Sequence, residues 1–233
     1  MRNSIKIIIL FVIAIICILL YGFYDIKGGF DYAFPRRMIR VGAMVITGFA
    51  IAYSTVVFQT ITRNRILTPS VMGLDSMYEV VQTVIYFTVG SLSVWVLNKY
   101  LNFGLSITAM ILFSLILYRF LFRADKYPIY LMLLIGMILG TLLGSLVTFL
   151  QVLIDPVEYL SLQTRLFASF TSVNADLLYV SAGILLIAFL YGFRIMKQLD
   201  GMSLGRESAI NLGIHYDRMV MNILVLSSVL IAT

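Results

Sequence analysis

The stretch Arg63–Ser76, "RNRILTPSVMGLDS", decides the fold. It places two arginines, an asparagine, a proline, a glycine and an aspartate between two strongly apolar segments. A hydrocarbon core offers no water to such groups, so the stretch must leave the core or be enclosed by protein. The surroundings are oily: 61% of the 233 residues are hydrophobic and 12% are charged, with a mean hydropathy of +1.00. Soluble domains do not reach that value. The chain therefore reads as an integral membrane protein whose apolar segments turn at stretches like this one.

Apolar windows lie at Ile5–Tyr24, Met38–Ile61, Val80–Asn98, Phe103–Phe122, Tyr130–Ile154 and Leu177–Met196. Each is close to the ~20 residues a helix needs to cross a ~30 Å hydrocarbon core. The expectation is an all-α, polytopic transmembrane helical bundle, one domain over residues 1–233, with six full spans. A seventh window opens at Met219, and the 15 residues from there to Thr233 make roughly 22 Å of helix, so it is read as truncated. Arg2 and Lys6 precede the first window as in a signal peptide. Its apolar run is too long for one, however, and no small-x-small cleavage site follows at Tyr21-Gly22-Phe23, so it is read as a retained helix. The single cysteine, Cys17, has no partner for a disulfide or a metal site.

Lysine and arginine in short loops resist translocation and so set orientation. With the N-terminus cytoplasmic, the inner side holds Arg2, Lys6, Arg63, Arg65, Arg119, Arg123, Lys126, Arg194, Lys197, Arg206 and Arg218. The outer side holds Lys27, Arg36, Arg37, Arg40, Lys99 and Arg165, a split of 11 against 6. That bias accounts for the net charge of +6 without nucleic acid. The chain is placed in the cell (plasma or inner) membrane, multi-pass. Under this topology Lys99–Asn102 is a tight outer turn and Arg123–Pro128 a short inner loop. Asp155–Asp176 is an outer segment whose Tyr159, Leu162, Leu166 and Phe170 have helical spacing, as in a helix lying on the membrane surface. Gly136, Gly140 and Gly144 form a small-xxx-small ladder that lets helices approach closely, either within the chain or at a subunit interface. Thr47, Ser54, Thr55, Gln59 and Gln82 are polar groups inside apolar windows, which must face protein or a water-filled path.

Catalytic chemistry finds little support. His215 lacks the second histidine or cysteine that metal spacing requires, and no Walker lysine loop is present, so ATP hydrolysis would belong to another chain. No cofactor is expected. Asp75 and Glu79 stand four residues apart and share a helical face if the helix has begun there. They read either as a proton or cation site of a secondary transporter or, for Asp75, as a helix cap. The inner segment Lys197–Arg218, "KQLDGMSLGRESAINLGIHYDR", reads as a short helix from Ser203, a break at Gly213 and a new start at Asp217. A short amphipathic helix there either receives force from a soluble partner or lies on lipid headgroups.

Two segments resemble one family, the FecCD/BtuC-type permease subunits of ABC importers for iron-siderophores, haem and vitamin B12. "RMIRVGAMVITGFAIAYSTVVFQTITRNRILTPSVMGLDS", Arg37–Ser76, resembles the pattern R-x-P-R, an apolar helix ending in Gln, then N-P-L-A-x-P-x-x-L-G, through Arg37, Arg40, Gly48, Gln59, Asn64, Pro69 and Gly73. "MSLGRESAINLGIHYDR" resembles L-G-x-x-x-A-x-x-L-G through Leu204, Gly205, Ala209, Leu212 and Gly213. Ile39, Arg65, Leu67 and Met77-Tyr78 depart from the pattern.

The resemblance implies a ten-span fold, of which this chain supplies six spans and part of a seventh. It implies a second permease subunit, identical or a sister chain, and an ABC ATPase docked on Leu204, Gly205, Ala209, Leu212 and Gly213, within the coupling segment 197–218. An extracytoplasmic substrate-binding protein would dock outside, its carboxylates meeting Arg37 and Arg40; snorkelling is the alternative role for these two. Gln59, Asn64, Pro69 and Gly73 are assigned to the translocation path or the family motif. The substrate implied is an iron-siderophore or related chelate.

Overall fold

The structure, a computed structural model, describes residues 2–23, 30–122, 129–167 and 175–232. The described residues form ten α-helices and no strand: α1 Arg2–Phe23, α2 Phe30–Thr62, α3 Leu74–Val89, α4 Val94–Leu97, α5 Lys99–Leu117, α6 Ile129–Leu153, α7 Pro156–Leu166, α8 Ala175–Ser203, α9 Arg206–Asn211 and α10 Tyr216–Ala232. The expected all-α bundle is borne out. Five helices are long and apolar enough to cross a membrane: Ser4–Phe23, Ala33–Thr62, Lys99–Phe120, Leu134–Leu153 and Ala175–Ser203. The expected inner loop Arg123–Pro128 lies outside the described residues.

The third window is not one continuous helix. α3 has 16 residues, about 24 Å at 1.5 Å per residue, and ends at Gly90, which adopts φ 73°. The four-residue α4 follows, and Asn98 caps α5 by accepting from the amides of Tyr100 and Leu101. The turn expected at Lys99–Asn102 is therefore the first turn of α5. Hydropathy missed the break because Leu92, Val94, Trp95 and Leu97 stay apolar across it, and all four are exposed.

α7 forms where helical spacing placed it, with Asp155 capping it through the Val157 amide at 2.9 Å. Its apolar face covers protein rather than lying on the membrane surface. Leu162 is fully buried, and with Tyr159 and Leu166 it packs against Val81, Ile85, Tyr86, Val96 and Ile154. Phe170 lies outside the described residues. Both ends of α7 clamp the α3–α4 break. Glu158 accepts from the Ser91 amide at 2.6 Å and the Ser91 hydroxyl at 2.9 Å, and Arg165 donates to the Val96 carbonyl at 2.8 Å.

The main core joins α2, the turn after it, α3, α5, α8, α9 and α10 around Phe58, Leu67, Met72, Leu74, Met110, Leu117, Met202, Ala209, Ile223 and Leu224. One polar cluster is buried beside it. Gln82 of α3 donates to Asn102 at 3.1 Å and Ser106 at 2.8 Å of α5, and Asn102 donates back at 3.3 Å. Such a reciprocal set stabilises one register between two oily helices, since any slip leaves amides unpaired. α1 packs on α2 and otherwise exposes a continuous run of isoleucine and leucine, the surface of a helix facing lipid.

The glycine ladder packs within the chain. Gly73, at φ 82°, lies against α6 so closely that a Cβ there would stand 2.9 Å from the Gly140 Cα. A Cβ on Gly136 would meet the Met72 sulfur at 2.5 Å, whereas Gly144 has open space around it. Gly73→Ala is therefore expected to cost about 2–4 kcal/mol, combining left-handed backbone strain with overpacking, and Gly144→Ala close to nothing. Thermal unfolding of the two variants in detergent measures the difference; equal midpoints would show that the turn does not seat on α6.

Candidate functional site

The stretch Arg63–Ser76 is a built turn. Asn64 Oδ1 accepts from the Ile66 amide at 2.9 Å, the local bond that makes asparagine a turn former. Gln59 reaches forward from α2 and donates to the Arg65 carbonyl at 2.6 Å. Thr68 accepts from the Val71 amide at 3.3 Å, and Pro69 opens a short helical turn through Pro69 carbonyl bonds to the amides of Met72 and Leu74. Leu67 and Met72 are buried in the main core, so the chain folds back into protein after Arg63. Gln59 and Asn64 thus hold the turn's shape, Gly73 seats it on α6, and Pro69 alone of the four motif residues lines a cavity.

That cavity, about 600 Å³, lies among α2, the turn, α8 and α10. Thr47, Ser54, Thr55, Ser70, Asp75, Ser181 and Arg165 supply its polar lining. Ser54 is 2% exposed and its hydroxyl has no hydrogen-bond partner within the protein. Asp75 does not cap α3: Gly73 occupies the N-cap position, and no side chain accepts a bond there. It stands instead in the first turn, where the helix dipole favours a carboxylate.

Glu79, one turn on, opens onto a different groove of about 600 Å³. Thr141, Ser145, Thr148 and Gln151 of α6, with Gln163 of α7, line it. The three hydroxyls donate to carbonyls of their own helix, four residues back. Such bonds let serine and threonine sit in hydrocarbon, but Glu79 and Gln151 gain nothing comparable from their own helices. Asp75 and Glu79 therefore do not line one cavity. The α6 stripe was missed in the sequence because three isolated hydroxyls within a leucine-rich window hardly lower its hydropathy.

The segment after α8 folds at the same end of the bundle as the turn. α8 runs seven residues past the expected end of its window, to Ser203, and α10 starts at Tyr216. Between them Gly205, at φ 109°, precedes α9, and Gly213, at φ 78°, follows it. Ala209 is fully buried beneath α9, while Leu204, Ile210 and Leu212 are 62%, 48% and 63% exposed. The Tyr216 phenol donates to the Ile61 carbonyl at 3.2 Å, satisfying one of the last acceptors of α2. Burial pushes the pKa of this phenol above its ordinary value.

At the opposite end, Arg37 is half-buried, donates to the Tyr21 carbonyl at 2.9 Å and lies over the Tyr21 ring at 5.8 Å. This contact ties α2 to the last turn of α1. Arg40 is also half-buried, one turn further along α2. Lys99 and Asp176 pair at this end too, joining the starts of α5 and α8. No group of three His, Cys, Asp or Glu side chains converges among the described residues.

Known proteins resemble the chain along its whole length. It is 49% identical over 232 residues to the petrobactin import system permease protein YclO of Bacillus subtilis (strain 168), covering 100% of this chain and 73% of YclO. Against the petrobactin import system permease protein FatC of Bacillus anthracis the identity is 35% over 197 residues, covering 84% of this chain and 56% of FatC. A solved structure described as a metal-chelate type ABC transporter in an inward-facing conformation superposes with a TM-score of 0.77 at 25% identity, over 98% of this chain and 72% of that one. The model of the FecCD transport family matches residues 10–233. Apolar helices of crossing length, a glycine-seated turn and this match together make the chain a multi-pass membrane protein that belongs to the FecCD transport family.

Proposed function

We propose that the chain is a membrane-spanning permease subunit of an ATP-driven importer for an iron-siderophore chelate, with petrobactin the leading substrate. The observation that carries this reading is α9. It is a six-residue helix held between two positive-φ glycines, buried beneath at Ala209 and apolar outside at Leu204, Ile210 and Leu212. An apolar knob fixed to the end of a membrane bundle fits a hydrophobic groove on a soluble partner, here the ABC ATPase. The names of YclO and FatC support the substrate, and family membership supports the partner. ATP hydrolysis is assigned to that separate chain.

This reading puts the turn and the coupling segment 197–218 on the cytoplasmic side, with the N-terminus. Both segments lie at one end of the bundle, as the distribution of lysine and arginine requires. The translocation path is assigned to the polar face of α6 beside Glu79, closed by a second permease subunit, because a carboxylate facing lipid is costly. Petrobactin or a similar chelate would meet hydroxyls, two carboxamides and one carboxylate there. Arg37 and Arg40 are assigned to docking the substrate-binding protein, with Arg37 also fastening α1.

Replacing Ile210 and Leu212 together by Asp is expected to weaken ATPase binding by at least ~2 kcal/mol, with insertion unchanged. Co-purification with the ATPase from detergent checks this, and undiminished recovery would return α9 to the lipid headgroups. Ser145→Leu, which blocks the α6 groove, is expected to abolish ATP-driven uptake of iron-loaded petrobactin in proteoliposomes while ATPase binding survives. Reversing Arg37 and Arg40 to Glu is expected to weaken binding-protein docking most at low salt, where screening is least; docking that is insensitive to both charge and salt would leave them as membrane-interface residues.

A further inference from the structure

We infer that Arg63 and Gly205 form a latch that positions the coupling segment on the end of α2, so that movement of α9 is delivered to the turn and to α6. The inference rests on the importer reading above and concerns Arg63, to which that reading gives no role.

Arg63 is the one non-glycine residue with positive φ among the described residues, at φ 50°. It occupies the position just beyond α2 where a chain reversing out of a helix favours glycine, because a side chain strains the left-handed conformation. A strained arginine at a site suited to glycine points to work done by its side chain. The guanidinium reaches across to the coupling segment and fills the space over Gly205: a Cβ there would stand 2.7 Å from Arg63 Nη1. Gly205 is required by its own φ of 109°, and the tip of the arginine lies against it.

Two further contacts make this joint a unit. Tyr216 donates to the Ile61 carbonyl two residues before Arg63, at 3.2 Å. Arg206, the first residue of α9, lies over the Tyr216 ring at 5.7 Å and 3.7 Å from the Asp217 carboxylate. α9 is therefore tied to the start of α10, and α10 to the last turn of α2. Beyond Arg63 the chain enters the turn held by Gln59 and Asn64, and ten residues later Gly73 lies against Gly140. A displacement of α9 by the ATPase is passed through Arg63 to the helix that carries the α6 groove. Arg65, two residues on, lends only its carbonyl to Gln59 and serves as a neighbouring control.

The test reconstitutes the full chain with its ATPase, binding protein and second permease subunit, and measures uptake of iron-loaded petrobactin per ATP hydrolysed. Arg63→Gly relieves the backbone strain, so a purely structural role predicts equal or better stability and normal coupling. The latch predicts equal or better thermal stability with transport per ATP lowered about tenfold, within the usual range of coupling between sites. Arg63→Lys is expected to restore part of the loss, and Arg65→Ala to leave coupling unchanged. Normal transport per ATP in Arg63→Gly overturns the latch. A wild-type chain that recruits no ATPase overturns the importer reading, and the latch with it.

Discussion

A turn carrying two arginines, a proline and an aspartate can be tolerated beside hydrocarbon only if its backbone is covered, and here the cover is the contact between Gly73 and Gly140. At that separation no side chain fits between the turn and α6. The backbone of residues 71–73 is therefore shielded by α6, and the amides of Val71, Met72 and Gly73 are satisfied within the turn. α3 starts from this seat, which fixes its direction and depth. The face that α3 turns to α5, and the placement of Asp75 and Glu79 in separate cavities, follow from it.

Lipid offers little hydrophobic drive for helix to pack on helix, so polar contacts decide registers that oily surfaces leave open. The Gln82–Asn102–Ser106 cluster sets α3 against α5, and Glu158 and Arg165 hold the interruption after Gly90. The partners in these sets come from separate helices, which is why single-window hydropathy cannot find them. Among the described residues, four buried hydroxyls have no partner, on Ser54, Thr83, Ser93 and Ser227; they are small groups whose unmade bonds cost less than an unpaired amide or charge.

The cytoplasmic end of the proposed importer behaves as one joint. α9 is too short to be stable alone, since a six-residue helix does not recover the cost of its own nucleation. Its persistence depends on burying Ala209, on the bond of Tyr216 to α2 and on the contact of Arg63 with Gly205. In the proposed latch, the strained Arg63 and the positive-φ Gly205 meet where a displacement of α9 would enter the bundle.

Much of this was legible in the sequence. Hydropathy alone located the five crossing helices, and turn chemistry marked Arg63–Ser76 and Gly213 as breaks. Helical spacing found α7, and small residues at every fourth position announced a close contact through Gly140. These signals are local: they report the transfer free energy of a segment or the φ of a residue, and neither depends on neighbours in space. The tertiary structure decided the rest. It split the third window at Gly90, turned α7 onto protein, moved Asp75 out of the cap and gathered hydroxyls from α6 beside Glu79. It also laid Arg63 on Gly205. Those outcomes depend on which surfaces meet across about sixty to more than a hundred residues of chain, and single-sequence periodicity carries no record of the partner.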